Sequence, residues 1–560
     1  MTGVFPNYAP IGAETRLESR SYRHLLAQVR DHTPYGGHPG GPKVTEAMLL
    51  KLASRMSRPI PVGNMQVGWP NSDNPAIPSG YTYLAQLVAH DLVQNAASLP
   101  PIDGFAGQLQ RDYRVQRLVL DTIYGSGPGP GALHFDPSRS GAGRDYTLRL
   151  GHVRPTEVHP GAEPLPLMTD KPARDIARSR CPFRGDVGGA APGLVARNGM
   201  QDALIADLRN DDHLIISQLT ALFHDAHNAI FRKLLGRDGA PSAGSPRPDQ
   251  LARTFLEARK VLAFVYRRIV VLDLLSKLLD PDVYETYRDQ KRTSLDPATL
   301  DDIKVPVEFS HAAYRFGHVM TRFSYVLNDE LRSTLQQDPP LQLIMDRSSS
   351  RRADLVPLAS TWLVDWSRFF DLGDGKPLNL SRRITPYVGN GFFSDSQSVT
   401  NMGMGVKGGL FYLDLLRGYQ AQIASVDSLI DGLKPEDRER SPLLAEQSLR
   451  QNEIGKWLTH HPTEFDSDEL IALTKDPPLL FFVLFEAAFQ HEGARLGTLG
   501  STMLAEMFLI SMKQNEAAIE QDPAIGESLR AVFGDKHPTD MPGLIRFVKA
   551  EGGLKPVVTS

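Results

Sequence analysis

Cysteine is nearly absent. The 560 residues contain one, Cys181, so no intrachain disulfide can form and no cysteine cluster can hold zinc or an iron–sulfur centre. Any metal has to be held by histidine, carboxylate or a cofactor. Neither sign of charge is in excess: 61 Lys and Arg face 65 Asp and Glu, a formal net charge of −4. That balance supplies no basic field for nucleic acid or an anionic membrane. Long apolar runs are missing too, since each is interrupted by Arg, Asp or Glu, and Met1 to Arg20 lacks the basic start and apolar core of a secretory leader. The reading is a chain without a transmembrane segment, in a reducing cytoplasm or exported without a cleaved signal. Also absent are Gly-x-Ser-x-Gly, His-Glu-x-x-His and Gly-x-x-x-x-Gly-Lys-Ser/Thr, which removes serine hydrolysis, zinc hydrolysis and phosphoryl transfer.

What is present is ordinary globular material, 41% hydrophobic and 22% charged, enough for a large core. Residues 1–75 read as an N-terminal arm, rich in Gly and Pro around Pro34 to Pro42, with one helical patch near Thr45 to Met56. Residues 76–560 read as the main unit, with an irregular insertion at about 125–200. Within it, the alternation of Tyr146 to Val153 suits a short hairpin. Apolar spacings of three and four predict helices over Leu204 to Leu235 and Leu251 to Leu279, the latter stopped by Asp280-Pro281. Further helices are expected at about Ser310 to Leu327, Gly409 to Gln422, Leu443 to Leu458 and Pro478 to Lys513. The fold class is therefore mainly α, a large single unit with long loops and little β.

Three segments combine polar chemistry with apolar helical context. In Tyr83 to Leu92, Gln86 and His90 lie four apart, on one face beside the stripe of Leu84, Leu87, Val88 and Leu92. In Ser310 to His318, helical spacing places His311, Tyr314 and His318 on one face, and Gly317 removes a side chain where a flat ligand could approach. Asp207-Leu208-Arg209-Asn210-Asp211-Asp212-His213 is a polar cluster just before a helix, where an Asp can cap. Each has a bland counterpart: a core histidine, a glycine that relieves packing, a cap beside a surface arginine.

Taken in order, these segments resemble the animal-type haem peroxidases, the peroxidase-cyclooxygenase superfamily, and look closest to its bacterial branch. Gln86 to Asp91 resembles the distal-histidine helix, Arg209-Asn210-Asp211-Asp212 the distal-arginine segment, and Tyr314-Arg315-Phe316-Gly317-His318 the proximal-histidine helix. The likeness continues through Ala226-His227-Asn228, Glu257 to Lys260, Leu415-Leu416-Arg417-Gly418 and Ala494 to Ser501, and spans roughly Tyr81 to Lys513.

The resemblance implies a helical haem protein that reduces hydrogen peroxide or organic peroxides through an iron–oxo haem and oxidises a small-molecule donor, read as a monomer with a role in oxidative stress. It makes His318 the axial ligand to iron, with Asp414 accepting its other ring N–H where the family usually has Asn. Arg315 and Arg417 belong with the cofactor. His90 is the acid–base residue, Arg209 the cation that meets the developing negative charge, and Gln86 the group that orients the peroxide. The cofactor is haem b, mostly non-covalent: Ala89 cannot form the first ester of mammalian members, His213 replaces the methionine of a sulfonium link, and Asp212 is left as the one possible ester. Asp91 and Asp121 are what remains of a calcium site whose loop carries Val115 and Val119, so the reading is against calcium. A charge pair from Arg114 or Arg117 to Asp91 or Asp121 is expected instead. The alternatives are a fatty-acid dioxygenase using Tyr314, which precedes His318 by four residues rather than the three of such relatives, and a haem-binding module without turnover.

Overall fold

Why this chain folds as helices is clearest in its second one, where the expected apolar stripe of Leu84, Leu87, Val88 and Leu92 is wholly buried and burial of each such side chain contributes about 1.5–3 kcal/mol. The computed structural model describes residues 20–21, 33–57, 72–94, 111–112, 117–129, 132–136, 146–151, 153, 175–180, 201–237, 247–288, 305–352, 355–388, 409–460, 465–513 and 515–552. Helices α1 (Pro42–Met56) and α2 (Gly80–Leu92) come first. They are followed by α3 (Leu214–Arg237), α4 (Pro248–Ile269) and α5 (Gly409–Gln420). Then come α6 (Leu479–His491), α7 (Thr498–Lys513) and α8 (Met541–Ala550). The architecture is mainly α, and among the described residues the strands form only two-stranded sheets.

Strand β1 (Asp73–Pro78) pairs antiparallel with β2 (Leu380–Arg382) and feeds directly into α2. The entry demands a glycine, because a Cβ on Gly80 would lie 2.5 Å from the Phe369 carbonyl oxygen. Helix α3 is buried on nearly every side from Leu214 to Phe231, as a central helix must be, and it packs against α2, α4 and α8. The helical patch of the N-terminal arm is α1, whose Met48, Leu49 and Leu52 are fully buried where it packs against α5.

Several sequence expectations are redrawn. The Tyr146 to Val153 patch does not fold on itself: Leu150–Gly151 pairs with Asp175–Ile176, and Leu148 bridges Phe135. Much of the 125–200 insertion lies outside the described residues. The run expected to be helical from Leu204 starts as strand Gln201–Ala203 and a 3₁₀ turn, Leu208–Asp211, before α3 begins at Leu214. Pro478 to Lys513 is two helices, parted at Glu492 and Gly493, both at positive φ. Helix α4 does run on, through a π-helical turn Val270–Leu275 to Leu278, and Asp280 stops it by capping Pro281–Arg288 through Val283 N at 3.1 Å.

Ser310 to Leu327 is not one α-helix. Val307–His311 ends at Ala312, where φ −137° and ψ −74° break the helical path, and Ala313–Met320 continues as a 3₁₀-helix. Its repeat of three residues, not 3.6, places Arg315 and His318 on one side.

The two helices α6 and α7 are locked by a buried acid. Glu486, fully buried in apolar α6, accepts the backbone N–H groups of Leu499 (2.9 Å) and Gly500 (3.2 Å) at the start of α7. A Cβ on Gly497 would lie 2.3 Å from Glu486 Cγ, so only glycine allows this approach. Burial pushes the Glu486 carboxyl up from 4.5 to about 7, against the pull of those two N–H donors. Between 4.5 and about 7 the folded chain therefore holds a proton that the unfolded chain has released, and this group's contribution to stability falls as pH rises across that window. Glu486→Gln should remove the fall. Its Tm relative to wild type should move in the variant's favour from pH 4.5 to 7 and stay level above; a difference independent of pH would show that the acid titrates normally.

Candidate active site

On the proximal side, the 3₁₀ repeat sends Arg315 and His318 to one carboxylate. His318 Nδ1 lies 2.6 Å from Asp414 Oδ2, and Arg315 Nη1 donates to Asp414 Oδ1 at 2.7 Å. Arg417, one turn along α5, adds a bond to Oδ1 at 3.3 Å. Asp414 is fully buried. Burial alone would raise its carboxyl, but His318, Arg315 and Arg417 outweigh burial and hold it well below the usual carboxylate range. Sequence spacing in α-helical terms grouped His318 with His311 and Tyr314. The structure groups it with Arg315, while His311 Nδ1 meets Ser310 Oγ at 2.8 Å.

The His318 ring edge opposite Asp414 faces open space. Its side chain is 38% accessible although Phe316, Val319 and Met320 around it are buried, and a Cβ on Gly317 would meet nothing within 4 Å. Beside it, Arg315 Nε is buried without a hydrogen-bond partner among the described residues. Tyr314 donates its hydroxyl to the Ala85 carbonyl of α2 at 3.1 Å, which ties this segment to the helix bearing Gln86 and His90.

On the distal side, His90 Nδ1 lies 2.8 Å from Asn210 Oδ1. Asn210 gives its amide hydrogens to Thr122 O (3.1 Å) and Thr122 Oγ1 (3.0 Å), so its oxygen is the acceptor toward His90. His90 therefore carries its hydrogen on Nδ1 and its lone pair on Nε2. Sequence reasoning gives Asn210 no role of its own; the available signal is its place inside a cluster whose other polar members all bear charge or a ring.

Arg209 is bonded on both sides. Its guanidinium spans Asp207 (Nε to Oδ1 3.0 Å, Nη2 to Oδ2 2.7 Å) and caps the end of α2 through His90 O and Val93 O, both at 2.8 Å. Two of these four bonds fix the end of the helix that carries His90, and two hold the guanidinium on Asp207. Gln86 Oε1 accepts from His213 Nε2 at 2.9 Å, while His213 Nδ1 accepts Ile216 N at 3.3 Å. Burial first, then the charges of Arg351 and His90, press the His213 pKa down to about 3, so the ring stays neutral. Burial raises Asp212 to about 6 against Arg351 and Arg209.

The loop expected to replace calcium is built differently in detail. Asp91, fully buried, accepts Leu120 N (3.0 Å) and Thr122 N (3.1 Å). Asp121 pairs with Arg259 of α4 at 2.7 Å; Arg114 and Val115, and with them the expected Arg114 pairing, lie outside the described residues. Arg117 is fully buried and donates through Nε to Leu92 O at 2.9 Å. Val119 is buried among the apolar core. Among the described residues no three His, Cys, Asp or Glu side chains converge to hold a metal ion.

Behind the distal residues, Arg178 lies across Asp211 in two parallel bonds, 2.9 and 2.8 Å, and reaches Asp175 at 3.3 Å. All three side chains are at most 5% exposed. Removing the cation leaves two buried carboxylates facing each other. Arg178→Gln should therefore lower the unfolding free energy by about 3–5 kcal/mol, read from the urea midpoint; a loss under about 1 kcal/mol would mean that the pair carries little.

Residues 174–356, which contain Arg209, His318 and Arg351, match the family model of the animal haem peroxidases. A comparison with curated proteins finds no match. Among solved structures, the chain is similar to peroxidase A from Dictyostelium discoideum, with TM-score 0.52 and 13% identity over 97% of this chain and 95% of that one. It is also similar to the fatty acid alpha-dioxygenase of Oryza sativa, with TM-score 0.47 and 11% identity over 90% and 76%. The segment bearing Arg209 and His318 is thus similar to the animal haem peroxidases, and the helical architecture as a whole shares the fold of peroxidase A.

Proposed function

We propose that the protein is a haem-b peroxidase that reduces hydrogen peroxide or organic peroxides and oxidises a small-molecule donor. One observation carries the reading. Two histidines on elements packed against each other, His90 on α2 and His318 on the 3₁₀ segment, each have Nδ1 held by a buried acceptor, so that both rings are fixed through the same nitrogen.

The residues present fit a haem. His318 has an open ring edge beside Gly317, and Arg315 Nε is a buried donor without an acceptor, suited to a haem carboxylate. Bound there, haem supplies an iron that activates peroxide for oxidation of a donor. His318 Nε2 would hold the iron, and Asp414, accepting the Nδ1 hydrogen, would make that nitrogen a stronger donor. Arg315 and Arg417 balance the Asp414 charge and would be the cations to meet cofactor carboxylates. His90 Nε2 takes a proton from the peroxide and returns it to the departing oxygen, a role worth about 10²–10⁴-fold in rate. Gln86, whose Oε1 is occupied by His213, offers its amide hydrogens to orient the peroxide. By the resemblance, Asp212 is left as the one possible ester, since Ala89 has no carboxylate.

The absorption spectrum with and without peroxide tests this. The purified protein should show a Soret band that shifts on adding hydrogen peroxide; His318→Ala should lose haem or change its ligand signature. His90→Ala should keep the Soret band and slow the peroxide-driven shift by about 10²–10⁴-fold. Wild-type spectra from His318→Ala would overturn the axial assignment. Oxygen uptake on linoleate without donor oxidation would favour the dioxygenase alternative, and a Soret band inert to peroxide a binding module. Acidic solvent should extract most of the haem, and any fraction retained should disappear in Asp212→Ala.

A further inference from the structure

Arg209 is bonded to Asp207 and to the end of α2, and a second positive charge stands on the distal side. The segment around Ser349 is held against Asp207 to His213 by the buried ion pair. Asp211 Oδ2 accepts Ser349 N at 2.9 Å, and the Arg178 Nη1 that bonds Asp211 also donates to Ser349 Oγ at 2.7 Å. Two residues on, Arg351 is fixed by its own N–H to Ser348 Oγ at 3.3 Å and by Nε to the Asp212 carbonyl at 3.3 Å. Its terminal Nη1 and Nη2 groups make no hydrogen bond among the described residues, and the side chain is only partly buried.

The chain of contacts runs on toward His90. Asp212 precedes His213, His213 bonds Gln86, and Gln86 sits one turn before His90 on α2. The charges of Arg351 and His90 both act on His213. Burial lowers the Arg351 pKa in spite of the Asp212 and Asp346 carboxylates, as for a cation whose charge its surroundings do not fully balance. A guanidinium set in this way, backbone pinned and fork open, is organised in advance for an anion.

We infer that Arg351 is an anion-binding cation of the distal pocket, and that its two terminal amino groups take a small monovalent anion or the negative charge developing on peroxide beside His90 and Gln86. This rests on the haem reading above. Its test is equilibrium binding of fluoride and of neutral imidazole to the haem-loaded protein, followed by the shift of the absorption spectrum. Arg351→Gln should weaken fluoride at least about tenfold, the size expected for losing a charged hydrogen bond, and leave imidazole within about twofold; Arg351→Lys should recover part of the loss. Fluoride affinity unchanged in Arg351→Gln would overturn the inference. So would equal weakening of both ligands, or loss of haem from a variant whose far-ultraviolet circular dichroism is intact, since either would place Arg351 against the cofactor or the fold. A wild-type protein without a Soret band would instead refute the haem reading itself.

Discussion

The Arg178 guanidinium lying across the Asp211 carboxylate is the contact on which the distal side rests. It joins three stretches of chain distant in sequence: the strand at Arg178, the polar run from Asp207 to His213, and the segment at Ser349. Because both ions are buried, neither can be removed without exposing the other to an unbalanced charge, so the three stretches hold one relative position. From that fixed run, each side chain reaches a different element. Asn210 sets the tautomer of His90, Arg209 grips the end of α2, and His213 holds the amide of Gln86.

The proximal side uses the opposite arrangement, many donors on one acceptor. Asp414 collects His318, Arg315 and Arg417, and what makes this possible is the change from α to 3₁₀ geometry after Ala312. In an α-helix, residues three apart diverge by about 60° around the axis; in a 3₁₀-helix they align. The irregular helix is thus the device that aims two side chains at one carboxylate.

How much of this was legible in the sequence follows from what kind of information each feature uses. The stripe of α2, the stop at Asp280-Pro281 and the burial of α3 depend on local periodicity and composition, and the sequence carries them. Asp414 as the partner of His318 was legible only through family resemblance. The helix break at Ala312 left no mark, since Ser310 to His318 has neither Pro nor a breaking Gly before the break. The direction of Arg209 was hidden for another reason: a guanidinium is long enough to face either the pocket or the helix end, and Asp207 two residues earlier decides it. Arg351 stands in a Ser- and Arg-rich run that reads as surface, and its place depends on Arg178, far away in the chain.

The two site histidines differ in what stands behind them. His318 has a carboxylate at Nδ1, and His90 has a neutral amide. A carboxylate stabilises positive charge on an imidazole, whereas an amide oxygen does so far less. Behind His318 the Nδ1 hydrogen therefore meets a full negative charge, and behind His90 only the dipole of an amide. The two rings are held through the same nitrogen with unequal strength by a single atom of difference in the backing residue, N or O, so that exchanging Asn210 and Asp414 in kind would exchange which ring is held more firmly.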